Sequence, residues 1–105
     1  MAITSNPTVQ NGAVLTAQGQ KTFFNITGSA AVVKSTAGRV AKISVVTAGS
    51  TAGNLYDAAT TGAAGTGNWL AVIPEAVGVY NIDMPVSNGI VVSPGTGMVL
   101  AISYI

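Results

Sequence analysis

Seven side chains carry a charge at neutral pH: Lys21, Lys34, Arg39, Lys42, Asp57, Glu75 and Asp83. The 105-residue chain has no histidine and no cysteine. The usual proton shuttle near neutrality, the thiol nucleophile and the best transition-metal ligands are therefore all missing. A serine nucleophile would need Lys or a carboxylate as its base, an uncommon arrangement. A glycosidase-like pair of acids would have to come from Asp57, Glu75 and Asp83. Glu75 follows Pro74 at a turn and Asp83 lies in an alternating run, and both are places where a solvated acid is the default. Calcium wants several carboxylates or carbonyls converging in one loop, and no loop here holds two acids. These residues predict no catalytic centre, no cofactor and no metal, and point to a structural or binding module.

Three local motifs invite a ligand and each has a plainer reading. Gly62-Ala63-Ala64-Gly65-Thr66-Gly67 is glycine-rich like a phosphate loop, but it lacks the Lys-Ser/Thr ending and no helix follows it. Asn25-Ile26-Thr27 matches a glycosylation sequon without a secretion signal to make it meaningful. Trp69, Tyr56 and Tyr80 are candidates for a sugar-stacking platform, or else the large pieces of a core built from small side chains. Tyr80 reads as core, while Trp69 borders the glycine-rich loop and stays open to either role.

Composition narrows the partners. Charged residues make up 7% of the chain, against about 25% in an average domain. Surfaces normally stay wet through Lys, Arg, Asp and Glu, so here Ser, Thr, Asn, Gln and backbone must serve, or other subunits must cover the surface. The deficit predicts association, as a trimer or dimer or within a larger assembly. Net charge is +1 and the basic residues form no cluster, which argues against nucleic acid. The residues from Met1 to Pro7 lack the basic start and apolar run of a signal peptide, and no stretch reaches the length of a membrane-spanning helix. The expectation is synthesis in the cytoplasm, with release inside a particle left open.

The elements that must position these residues are strands. Residues 1–20 read as an extended arm, with Ile3, Val9, Val14 and Leu15 as its larger apolar groups. From residue 21 to 105, short β-rich runs alternate with turn residues: Lys21–Ile26, Ala30–Lys34, Arg39–Thr47, Asn54–Asp57, Trp69–Ile73, Gly78–Met84, Ile90–Val92 and Met98–Ile105. In Arg39–Thr47 alternation sets Ala41, Ile43 and Val45 on one face, and Val40, Lys42, Ser44 and Val46 on the other. In the sixth run Tyr80, Ile82 and Met84 share a face. Residues 58–68 read as a flexible loop, and Pro94-Gly95-Thr96-Gly97 as the turn of a hairpin joining its two flanking runs. About eight short strands without an amphipathic helix predict an all-β, antiparallel β-sandwich, a jelly roll or related Greek key, whose strand order cannot be read from the sequence.

The segment from Gly38 to Tyr104 also carries a recognisable succession. Gly38-Arg39-Val40 enters a Val/Ser/Thr strand, followed by Ala48-Gly49-Ser50, Leu55-Tyr56-Asp57, Ile73-Pro74, Gly78-Val79-Tyr80 and Met84-Pro85. Asn88-Gly89-Ile90-Val91-Val92 and the Pro94–Gly97 turn close it before an alternating last strand. Over about two thirds of the chain this resembles small virion proteins of tailed bacteriophages and prophages, and within that group capsid decoration, or cement, proteins. The resemblance implies an oligomer on the exterior of an expanded head, bridging major capsid protein subunits. It carries no contact residues over. From pattern alone, the expected partner contacts are Ile3, Val9, Val14, Leu15, Val40 and Val46, and the candidates for recognition at the loop are Trp69 and Asn68. The alternative is a head-fibre, tail-fibre or tail-tip module that binds host glycan.

Overall fold

Val, Ile and Thr in alternation favour the pleated backbone, because a branched side chain packs well on a half-buried sheet and is stiff in a helix. The computed structural model describes residues 19–105 and forms eight strands there. They are β1 (Lys21–Ile26), β2 (Ala31–Lys34), β3 (Gly38–Thr47), β4 (Gly53–Tyr56), β5 (Trp69–Ile73), β6 (Gly78–Val86), β7 (Ile90–Ser93) and β8 (Val99–Tyr104). The strands form two four-stranded sheets in the orders β1-β8-β3-β6 and β2-β7-β4-β5. All pairs are antiparallel, and first pairs with last, second with seventh, third with sixth and fourth with fifth. That nesting is the jelly-roll order of an antiparallel sandwich.

The inner faces of the two sheets make the core. Ile43, Val45, Leu100 and Ile102 from the first sheet meet Leu55, Ile73, Ile90 and Val92 from the second, all buried. Met98 closes the layer from the β7–β8 connection. Full burial of each such side chain stabilises by about 1.5–3 kcal/mol before the cost of ordering the chain. Tyr80 packs against this core with its hydroxyl donating to the Ala76 carbonyl at 2.7 Å.

Three expectations are corrected. The runs on either side of Pro94–Gly97 do not form a hairpin: β7 belongs to one sheet and β8 to the other. The turn crosses the sandwich, anchored where Ser50 N–H donates to the Thr96 carbonyl (2.9 Å) and Thr96 N–H to Thr51 Oγ1 (2.8 Å). A Cβ on Gly95 would collide with the Thr51 carbonyl, so only glycine lets the two loops approach this closely.

Val40 does not share the outward face with Val46. The register of β3 shifts between Val40 and Lys42 against both its neighbours, with Ala41 unpaired between them, and Val40 turns into the core at 0% exposure. A bulge inserts one residue and resets the alternation beyond it. The extra residue opposite lies in β6, where Asp83 adopts φ 54° and Met84 pairs with Val40, on the side of Tyr80 and Ile82 but part-exposed on this edge strand. The strand continues through Pro85 to Val86, which an edge strand tolerates.

The segment read as a flexible loop instead forms two short 3₁₀ turns, Thr61–Ala63 and Thr66–Asn68. Thr60 Oγ1 accepts from Ala63 N–H at 3.2 Å and caps the first. Asn68 holds the second: its Oδ1 accepts from Gly65 N–H at 2.9 Å and its Nδ2 donates to the Ala63 carbonyl at 2.8 Å.

Candidate partner-contact faces

Two of the three acids occupy structural posts. Asp57, just beyond β4, accepts from the backbone N–H groups of Ser87 (3.0 Å), Asn88 (2.8 Å) and Gly89 (3.3 Å). Partial burial pushes its carboxyl up, but the three donors together outweigh that and hold it below the ordinary aspartate value. Asp83 pairs with Arg39, whose Nη2 lies 2.6 Å from Oδ1 and also donates to the Asp83 carbonyl at 3.2 Å, supporting the left-handed residue. Glu75 is exposed in the β5–β6 connection. Lys34 donates from Nζ to the Ile105 carbonyl at 3.0 Å.

With the charges so placed, the outer face of the β2-β7-β4-β5 sheet carries two adjoining rows without a charge. On the β2-β7-β4-β5 sheet, Val32 stands opposite Val91, Val91 opposite Tyr56, and Tyr56 opposite Trp69. This row crosses all four strands on the face away from the core. Val91 is 0% exposed yet lies outside the core cluster, so its neighbours on the outer face bury it. A bulge at Leu70 allows the row to form: Leu70 and Ala71 both pack toward the core, which turns Trp69 outward beside Tyr56. Trp69 is 49% exposed, and its indole Nε1 donates to the Ala71 carbonyl at 3.2 Å, fixing the ring along β5. A shallow concavity of about 300 Å³ is lined by Trp69, Leu70, Ala71 and Val72. The adjoining row, Val72, Asn54 and Ser93, is also uncharged.

On the other sheet, Ser44 faces Val79, and the last pair of β3 with β6, Val45 with Gly78, has Val46 and Val77 as its chain neighbours. Val46 is 57% and Val79 66% exposed, with Val77 exposed beside them. Phe24 is exposed on β1 of the same sheet. Lys42 and the Arg39–Asp83 pair lie toward the opposite end of β3. Isolated exposed valines are ordinary, but grouped ones mark contact surfaces.

Of the residues singled out by sequence, Val46 lies within the exposed valine group and Trp69 at the end of the outer row. Val40 is in the core and supplies no contact. The Asn68 amide is occupied in holding its own turn. Ile3, Val9, Val14 and Leu15 lie outside the described residues. Val32, Val91, Val77 and Val79 were not singled out, although the Val79/Asn81 alternation in β6 was a usable signal for one of them.

Comparison with family models, with curated proteins and with solved structures finds no match to this chain.

Proposed function

We propose that this chain is a structural virion protein that decorates and stabilises a phage capsid by binding across major capsid protein subunits. The observation that carries the reading is the pair of outward sheet faces, one with an uncharged row across four strands and the other with a group of exposed valines. Such faces bind by shape and burial, which salt screens little. Trp and Tyr, which stand side by side in that uncharged row, are residue types that often dominate contact energies. A stiff sandwich repeated over a shell needs only a modest gain at each contact, because many copies act together. The jelly roll adds little by itself, since one fold hosts many functions.

The test is to mix the purified protein with expanded, undecorated heads and sediment the particles. The protein should pellet with the heads to saturation, and raising the salt should change that little. Protein left in the supernatant at every concentration contradicts the reading.

A fibre or tail-tip module that reads host glycan is the second reading, and Trp69 fixed beside Tyr56 favours it. A glycan array probed with wild type and Trp69→Ala separates the two, because a glycan reader gives signal that the substitution removes.

A further inference from the structure

Among the described residues the two sheets end in four edge strands, β1, β6, β2 and β5. Edge strands resist pairing with other chains through charge, proline, bulges and short length. β1 carries Lys21 and a left-handed Asn25 (φ 58°) at a register shift. β2 has four residues, a register shift and a terminal Lys34. β6 carries Asp83 and Pro85, with its own register shift and the Arg39 ion pair. β5 (WLAVI) has neither charge nor proline, and beyond the bulge at Leu70 its residues Ala71, Val72 and Ile73 pair with β4 in regular register.

We propose that the β5 edge is a self-association site, pairing antiparallel with β5 of a second copy about a twofold axis at Val72. Side-chain direction selects this register. Ala71 and Ile73 face the core and Val72 faces outward, so a pair centred on Val72 sets Ala71 opposite Ile73 of the second copy and Val72 opposite its own counterpart. Small meets large on the inner side, and like faces meet on both sides. The uncharged row of Ser93, Asn54 and Val72 then continues into the same row of the second copy, and two four-stranded sheets become one eight-stranded sheet. No like charges are brought together along β5, because it has none. An interface of this kind is isologous and closes at a dimer. The Trp69 indole lies along the same edge on the Ala71 carbonyl, which has a second lone pair for an incoming donor.

The site stands independently of the capsid reading, so its test uses the full chain alone. Sedimentation equilibrium over a dilution series should show the mass rising from 10.4 kDa toward twice that value. Trp69 is the sole tryptophan, so its fluorescence should shift along the same isotherm. Val72→Lys, at an exposed position, should weaken association by at least about tenfold while the circular dichroism stays that of the wild type. As a second variant, Val72→Cys should oxidise to a covalent dimer, since directly opposed strand residues lie about 4.5–5.5 Å apart at Cα, within disulfide reach. The chain has no other cysteine, and Val79→Cys on the other sheet is the control that should cross-link at least about tenfold more slowly. A wild-type chain that stays monomeric throughout overturns the proposal. So does a dimer that Val72→Lys leaves intact, or equal cross-linking at positions 72 and 79.

Discussion

Asp57 shows how a rare charge is spent in this chain. Its carboxylate satisfies three backbone donors of the Ser87–Gly89 turn, which leads from β6 in one sheet to β7 in the other. Because the folded carboxyl titrates below the unfolded one, its contribution is fully present above the ordinary aspartate value and is lost as pH falls through the folded value. Asp57→Asn should therefore cost about 1–3 kcal/mol at neutral pH, the value of hydrogen bonds to a charged acceptor. In urea melts across a pH series, the gap to wild type should close in acid, below the ordinary aspartate value of about 3.9. A gap unchanged in acid would show that the charge does not matter. Val40 and Val46 give a second contrast at this scale. Val40→Lys buries an unpaired ammonium and should unfold the protein or cost several kcal/mol, whereas Val46→Lys on the exposed face should stay within about 0.5 kcal/mol of wild type. Equal thermal melts for the two variants would contradict the bulge at Ala41. The distinction escapes a reading by alternation, because nothing in Gly38-Arg39-Val40-Ala41 announces the extra residue.

The strands themselves are legible because period-two alternation and turn residues are local properties. In the last run alternation sets Met98, Leu100 and Ile102 on one face, and all three are buried. Connections are a different matter. Pro94-Gly95-Thr96-Gly97 carries the chemistry of a tight turn, but whether a turn keeps the chain in its sheet or sends it to the facing one depends on what packs against it. Here Thr51 and Ser50, some 45 residues away, decide. Gly95→Ala should accordingly cost several kcal/mol, since its Cβ meets the Thr51 backbone, while Gly62→Ala meets nothing and should be neutral or stabilising by about 0.4–1 kcal/mol. Thermal denaturation of the two variants checks both; a harmless Gly95→Ala would mean that the crossover is looser than drawn. The outer row was equally hidden. Val32, Val91, Tyr56 and Trp69 come from four separate runs, and only strand order and the bulge at Leu70 bring them into line.

At the scale of the whole molecule, composition and architecture agree. A chain with 7% charged residues folds into a sandwich in which Asp57 holds a turn, the Arg39–Asp83 pair a bulge and Lys34 the chain end. The outer rows of the β2-β7-β4-β5 sheet are left neutral and apolar or amide-bearing. Assembly is the economical use of such surfaces, since water gains little from them and a partner surface gains their burial. A reconstruction of the decorated head tests this most directly. It should show the sandwich laid with an outer sheet face against neighbouring capsid subunits, with Trp69 or the Val46–Val79 group inside the contact. A particle that carries the protein with both outer faces in open solvent, held by loops alone, would contradict the account.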